Sequence, residues 1–225
     1  MRTLPLLLAA TLLPLTLSAT AADGQKTFEG VITYDMSTAG QSMQIKQMAK
    51  GSMIRQEMEG PAGSMISLMD TGDATVTMIM PSQKIYMTMD VDAMMQQAPE
   101  PQPEQPDPAE FKATGEKETI AGHSCEHHTY TSEDSAVDMC VATGLGFLPF
   151  RSPGTMGNRG GGMGGMDRME EWRKRFPDGF VPLSVDVTAQ GSNMTMRATA
   201  VEPKTLSDDL FEVPAGYTKM STPGR

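Results

Sequence analysis

One short stretch of the chain concentrates side chains that could bind a soft metal ion. Three histidines and a cysteine lie close together there: His123, Cys125, His127 and His128. Because successive side chains of a β-strand point to opposite faces, a strand would place the first three on one face and His128 behind them. Imidazole nitrogens suit copper and zinc, and thioether sulfurs suit copper in particular.

Thioethers are plentiful, since the chain contains 22 methionines. A glycine-rich segment carries Met156, Met163, Met166 and Met169, which no hydrophobic core requires. One hypothesis is therefore a copper site. Its ligands would be His123, His127, His128, Met163 and Met166. The alternative interpretation is that the histidines are surface or partly packed side chains beside a disulfide.

Cys125 and Cys140 are the only cysteines of the chain. An even number in an exported protein predicts one disulfide. A tight turn over residues 131–134 would pair two strands so that Cys125 lies opposite Cys140. The chain has no C-x-x-C motif that would favour redox chemistry. We therefore interpret the pair as a structural disulfide, which also removes Cys125 from any metal site.

Methionine, rather than leucine or valine, supplies the apolar side chains of several predicted strands. These methionines alternate with polar residues such as Thr77, Thr88 and Thr195, a period of two that is typical of half-buried antiparallel strands. They are Met78, Met80, Met87, Met89, Met194 and Met196. Because the thioether side chain is unbranched and polarizable, it packs adaptably against irregular shapes. The pattern predicts a face that binds an apolar ligand.

Residues 167–176 have the pattern of one short amphipathic helix, which Pro177 ends. Met169, Trp172 and Phe176 fall on one side of it at helical spacing. We expect this helix to lie on the sheet, so that its three apolar residues and the six strand methionines enclose the ligand.

The same helix carries three adjacent cations, Arg173, Lys174 and Arg175, on a chain whose net charge is -10. They are the predicted contact for an anionic envelope protein, although a solvated helix face is the alternative interpretation. The overall negative charge argues against nucleic acid as a partner.

Short strands separated by turn signals recur along the chain, as in a meandering antiparallel sheet. They are predicted at residues 27–36, 42–49, 52–58, 65–70, 74–81, 84–91, 124–131 and 134–141, and again around Leu183 and Met194. The fold class is therefore mainly β, an antiparallel sheet with few helices.

Residues 1–21 have the positive start, apolar run and small residues of a signal peptide. The apolar run is too short to cross a bilayer comfortably, and no cysteine follows it to take a lipid, so we expect a periplasmic or secreted protein without a transmembrane segment. Residues 22–225 are predicted to form one domain. A proline-rich connector at 98–110 and a glycine- and methionine-rich insertion at 151–167 interrupt its sheet.

Three segments together resemble an exported bacterial family, the domain of unknown function 4412. They are Phe28-Glu29-Gly30-Val31-Ile32-Thr33-Tyr34, Ile120-Ala121-Gly122-His123-Ser124-Cys125 and Leu210-Phe211-Glu212-Val213-Pro214-Ala215-Gly216-Tyr217. That family looks related to lipoprotein carriers of the LolA and LolB type. The resemblance implies a half-barrel, a curved antiparallel sheet with one or two short helices on its concave face, a shape that shelters acyl chains in the carriers.

Enzymatic chemistry finds little support in the sequence. It contains no G-x-S-x-G and no H-E-x-x-H motif, its glycine run lacks the Gly-Lys-Ser/Thr ending of a phosphate-binding loop, and no cofactor is predicted. The leading hypothesis is a non-catalytic binding protein for a lipid or another apolar small molecule. A copper-binding protein and a structural envelope component that binds another protein are the alternatives.

Overall fold

The computed structural model describes residues 26–38, 40–60, 63–90, 93, 110–133, 135–148, 169–189 and 192–220. Three predicted segments lie outside these residues: the signal peptide, the insertion at 151–167 with Met156, Met163 and Met166, and all of the proline-rich connector except its last residue.

The described residues form thirteen strands, one α-helix and one 3-10 turn. The strands of the first half are β1 (Gly30–Thr38), β2 (Gln41–Lys50), β3 (Met53–Gly60), β4 (Gly63–Asp70), β5 (Thr75–Met80) and β6 (Ile85–Asp90). Those of the second half are β7 (Lys112–Ile120), β8 (His123–Thr131), β9 (Ser135–Ala142), β10 (Gly146–Phe147), β11 (Gly179–Ala189), β12 (Ser192–Pro203) and β13 (Thr218–Lys219). The helix is α1 (Met169–Arg175), and the 3-10 turn is Asp208–Phe211.

All of these strands belong to one open, curved sheet with the order β13-β6-β5-β4-β3-β2-β1-β12-β11-β9-β8-β7, in which β10 pairs with β11. The strand pairs are antiparallel except β10 with β11 and β13 with β6. The predicted mainly β, half-barrel fold is confirmed. The first half of the chain thus runs outward from β1 to β6, and the second half returns from the edge strand β7 to β12, which lies beside β1.

Local turn chemistry explains why the first half forms hairpins. The Asp70 carboxylate accepts hydrogen bonds from the backbone N–H groups of Gly72 and Asp73, at 2.8 and 3.3 Å, and so closes the turn between β4 and β5. Aspartate stabilises tight turns in this way. Between β5 and β6, the backbone N–H groups of Gln83 and Lys84 donate to the carbonyls of Met80 and Pro81.

We call the face of the sheet that carries Ile32, Tyr34 and Met36 the inner face, because these side chains are buried in the largest hydrophobic cluster. The Tyr34 hydroxyl donates to the Pro182 carbonyl at 2.9 Å and thereby ties β1 to β11. Directly paired residues of neighbouring strands point to the same face. The register therefore identifies the inner-face residues of the other strands from these three.

The helix α1 packs on the inner face of the second half of the sheet. Trp172 and Phe176 are buried and stack on each other with ring centroids 5.8 Å apart. Trp172 also contacts Phe111 and Phe180, at 5.2 and 5.0 Å. The predicted helix is present, although Asp167 lies outside the described residues.

The C-terminal segment crosses the opposite, outer face, which the sequence did not predict. Leu206 and Phe211 are buried there against Val31 and Met48. The Lys50 ammonium donates to the Leu206 carbonyl at 2.7 Å, and the segment then ends as β13 alongside β6. This segment therefore buries Val31 of β1 and Met48 of β2 on the outer face.

The disulfide between Cys125 and Cys140 is present, but its predicted register is wrong. His127, not Cys125, lies opposite Cys140, and Thr131 pairs with Ala136. The turn between β8 and β9 is therefore displaced by one residue along the chain, and the Ser132 backbone N–H donates to the Ser135 carbonyl across it at 2.8 Å. The bond joins residues that are diagonal neighbours on paired strands, with their Cα atoms 5.3 Å apart.

Candidate functional site

The methionines of β5 and β6 lie on the inner face, as their register shows. Met78 pairs with Met87 on one side and with Ser67 on the other. The paired positions continue from Ser67 through β3 and β2 to Ile32, which lies in the largest hydrophobic cluster, called the main cluster below. Met80 and Met89 share this face because they alternate in step with Met78 and Met87 along their strands. All four methionines are half-buried.

The structure divides the predicted ligand-binding residues into two groups. Met194 and Met196 of β12 belong to the main cluster together with Trp172 and Phe176. Met78 and Met89 belong instead to a separate cluster around Ile54, Met69 and Val76. For Met169, only the backbone is described. Trp172 and Phe176 of the helix segment therefore share a cluster with the β12 methionines and not with Met78 and Met89.

The first half of the inner face differs in composition from the second half. Within the described strands β2 to β6, the inner face carries no aromatic ring, and all of its methionines except the buried Met69 are half-buried. The half-buried ones are Met43, Met58, Met65, Met78, Met80, Met87 and Met89. The predicted ligand-binding set omitted Met43, Met58 and Met65, although their alternation within predicted strands would have indicated them.

A row of polar side chains crosses the same half of the inner face, and no sequence pattern had indicated it. Gln47 of β2, Gln56 of β3 and Ser67 of β4 are paired in register and are only 3%, 5% and 2% exposed. The Gln56 amide donates to the Gln47 side-chain oxygen at 2.9 Å. Among the described residues, Gln47 Nε2 and Ser67 Oγ have no hydrogen-bond partner.

The histidines of β8 occupy opposite faces of the sheet. On the outer face, His127 Nδ1 lies 2.6 Å from the Asp138 carboxylate, and its Nε2 lies 3.6 Å from Glu118. Burial alone would lower the pKa of His127, but the hydrogen bond and charge of Asp138, with smaller contributions from Glu116 and Glu118, raise it overall.

The outer-face histidine is part of an ionic network that links three further strands. Glu118 of β7 forms a two-point ion pair with Arg197 of β12. The Arg197 hydrogen bond, opposed by partial desolvation, lowers the pKa of Glu118. Burial, then the charge of Asp138, raises the pKa of Asp186 on β11. The network joins strands that are distant in sequence, and its two cationic groups, Arg197 and His127, face Glu118 and Asp138.

On the inner face, His128 is buried and meets the Phe176 ring edge-on with centroids 4.9 Å apart. Burial, and then the charge of Arg175, lowers the pKa of His128. Its Nδ1 has no hydrogen-bond partner in the part of the chain that the structure describes. His123 is half-buried at the start of the strand.

The predicted metal ligands do not converge as a set within the described residues. His127 and His128 point to opposite sides of β8, and Met163 and Met166 lie outside the described residues. One group of possible ligand atoms does lie within 4.8 Å, formed by Glu118, His127 and Cys140. The Cys140 sulfur is bonded to Cys125, so it supplies no thiolate.

Two of the three adjacent cations of α1 contact the protein's own rings. The Arg173 guanidinium lies 5.0 Å from the centre of the Phe147 ring. The Arg175 guanidinium lies 5.5 Å from the Phe176 ring and donates to the Phe111 carbonyl at 3.1 Å. Lys174 is exposed. A protein partner for this helix stays a prediction.

The buried His128 makes a pH-dependent contribution to stability. Because its pKa is lowered in the folded state, the unfolded chain binds more protons between that pKa and its ordinary value of 6.5. The free energy of unfolding therefore falls as the pH drops through this window. We expect His128→Leu to reduce the loss of stability between about pH 7.5 and pH 5.5, as measured by urea unfolding.

His127, the neighbouring histidine, is a control, because its contribution to stability changes with pH in the opposite direction. The raised pKa of His127 adds stability that is fully present below about pH 6.5 and is lost as the pH rises through the folded pKa. His127→Gln should therefore steepen the loss on acidification. Equal slopes in wild type and His128→Leu would contradict the assignment of the acid sensitivity to His128.

No helix in the described part of the chain is long and apolar enough to span a membrane. No curated protein matches the sequence. Solved structures do match it, and the three described next have low sequence identity.

An uncharacterized conserved protein from Thermus thermophilus is 8% identical, with a TM-score of 0.49 over 88% of this chain and 91% of that one. PNGF-II is 15% identical, with a TM-score of 0.42 over 84% of this chain. This chain spans only 30% of PNGF-II. LprF from Mycobacterium bovis is 7% identical, with a TM-score of 0.35 over 87% of this chain and 91% of LprF.

The sequence also matches a family directly. The match covers residues 28–217, so it begins shortly before β1 and ends immediately before β13. It includes all three segments that carry the resemblance described above. The chain therefore belongs to the family described as domain of unknown function DUF4412.

Proposed function

We propose that this protein is a non-catalytic binding protein that holds an acyl chain or a similar apolar ligand on the inner face of β2 to β6. The observation that carries the proposal is the contrast between the two halves of that face. Around Trp172 and Phe176 the inner face is closed by aromatic rings, and Met139 and Met196 are buried there. On β3 to β6 the inner-face methionines other than Met69 are half-buried.

The physical argument is that half-buried thioethers still gain from contact with an apolar chain. Each methylene that leaves water contributes about 0.8 kcal/mol. A fully buried chain of roughly a dozen carbons therefore contributes about 10 kcal/mol, which offsets an association cost in the lower and middle part of the range of about 4–15 kcal/mol. Methionine loses little by repacking around ligands of different shape. The half of the sheet beneath α1 is already filled and offers less to a ligand.

The expected compartment is the periplasm or the exterior of the cell. The disulfide between Cys125 and Cys140 supports this expectation, because structural disulfides persist in oxidising compartments. The predicted signal peptide at residues 1–21 agrees with it.

A pair of substitutions tests the ligand-binding face. Met78→Gln with Met87→Gln keeps the length of both side chains and places two amides in a directly paired position of the inner face. We expect the affinity for 1-O-dodecylglycerol to fall about tenfold or more, because an apolar chain would then bury unpaired amide groups. Isothermal titration calorimetry below the micelle concentration of the probe measures this loss.

The matched control lies on the same two strands. Thr77 and Thr88 are directly paired on the outer face, where their hydroxyl groups lie 3.0 Å apart. Thr77→Gln with Thr88→Gln should leave the affinity within about twofold, since the ligand does not touch that face. Absence of binding to wild type, or equal losses in the two variants, would refute the proposal.

A further inference from the structure

The polar row of Gln47, Gln56 and Ser67 is unusual for the interior of a sheet. Each side chain is more than nine-tenths buried, and buried polar groups normally have hydrogen-bond partners. Here the row has one internal hydrogen bond, between the two amides. Gln47 Nε2 and Ser67 Oγ have none among the described residues.

An amide NH₂ group without a partner is present in the row in either orientation of the glutamine amides. Oxygen and nitrogen of a glutamine are assigned from the hydrogen-bond network. If both amides were turned over, Gln47 would donate to Gln56 and the NH₂ group of Gln56 would be free instead. In either orientation, one amide NH₂ group and the Ser67 hydroxyl remain as hydrogen-bond donors within the row.

Apolar side chains surround the polar row on three sides. Two neighbouring rows of directly paired residues flank the polar row on the inner face. One consists of Ile45, Met58 and Met65, and the other consists of Ala49, Ile54 and Met69. Beyond Ser67 the same row continues as Met78 and Met87. With neighbouring strands about 4.8 Å apart, the methionine end lies about 10 Å from Ser67. The hydrogen-bond donors of the polar row and the side chains of Met78 and Met87 therefore lie along one line across the sheet.

We propose that the Gln47–Gln56–Ser67 row is the recognition site for the carbonyl group of an acyl ester, whose hydrocarbon chain lies along Met78 and Met87. The inference rests on the proposed function and specifies its ligand. Amide and hydroxyl donors match a neutral carbonyl acceptor. They match a free carboxylate less well, because the burial of an unpaired charge costs more than that of a neutral group.

Two lipids that differ only at the carbonyl test this assignment. Monododecanoylglycerol and 1-O-dodecylglycerol share the chain and the glycerol head, but only the first has an ester carbonyl. We expect the wild-type protein to bind the ester about tenfold more tightly than the ether. Gln47→Leu and Gln56→Leu combined with Ser67→Ala should abolish that preference and leave the affinity for the ether within about twofold, because the three substitutions remove every donor of the row without adding charge.

Gln44→Leu is the matched control, because it makes the same substitution on the same strand at an exposed, outer-face position. It should retain the tenfold preference. Urea unfolding of each variant verifies that it folds. If the triple variant does not fold, Ser67→Ala alone removes a single hydroxyl and should reduce the preference about threefold.

The outcomes separate the inference from the proposed function. Equal binding of ester and ether by the wild type would overturn the polar recognition site and leave the apolar binding face intact. A preference that survives in the triple variant would also overturn it. If the wild type binds neither lipid, the proposed function fails and the inference fails with it.

Discussion

Replacement of Trp172 by alanine is expected to lower the free energy of unfolding by about 3–5 kcal/mol. Trp172 is 4% exposed, and its indole lies among Phe111, Phe176 and Phe180, with ring centroids between 5.0 and 5.8 Å away. The cavity left by the indole could not collapse easily, because Phe111 comes from the residue before β7 whereas Phe176 directly follows α1 and Phe180 belongs to β11. Its Nε1 has no partner among the described residues, so the loss measures packing and not a broken hydrogen bond.

Urea unfolding followed by far-ultraviolet circular dichroism measures this effect, since the variant lacks the only tryptophan. Trp172→Phe is the control. It retains an aromatic ring at the same place and should lose clearly less stability than the alanine variant. A loss below about 1 kcal/mol for Trp172→Ala would mean that α1 does not pack on the main cluster.

The second large effect concerns the disulfide. Replacement of Cys125 and Cys140 by alanine should lower the free energy of unfolding by about 3 kcal/mol, because the bond closes a loop between residues 15 positions apart and restricts the unfolded chain. Both residues are buried. Alanine is therefore preferable to serine, whose buried hydroxyl would add a separate penalty.

A reducing agent provides the internal control for that measurement. Wild type unfolded in dithiothreitol should approach the stability of the double alanine variant, and the variant itself should not respond to dithiothreitol. Two free thiols in oxidised wild type, detected by labelling under denaturing conditions, would contradict the disulfide.

The strands of this protein could be predicted because their signal is local. The alternation of methionine with threonine in β5 and β6 is a property of a few consecutive residues, and it fixes which side chains share a face. The turn residues between those strands act over equally short distances, as the Asp70 carboxylate does between β4 and β5. Trp172 and Phe176 likewise reveal a helix through their spacing alone.

Two strand features were missed because their local signal is weak or mixed. β7 is mostly exposed and lacks an apolar alternation, as an edge strand can. On β2, Met48 is buried on the outer face while Gln47 is buried on the inner one. Because both faces of β2 are covered, alternation alone does not identify Gln47 as an inner-face residue.

The sequence by itself determined a mainly β fold, the faces of most strands, the disulfide and the helix. Only the tertiary structure decided that α1 packs in the cluster of the β11 half of the sheet, apart from Met78 and Met89, that His127 lies opposite Cys140, and that Gln47 contacts Gln56. The physical reason is the range of the interactions. Alternation and turns arise between neighbours in the chain, whereas register and helix docking depend on contacts between residues far apart in sequence.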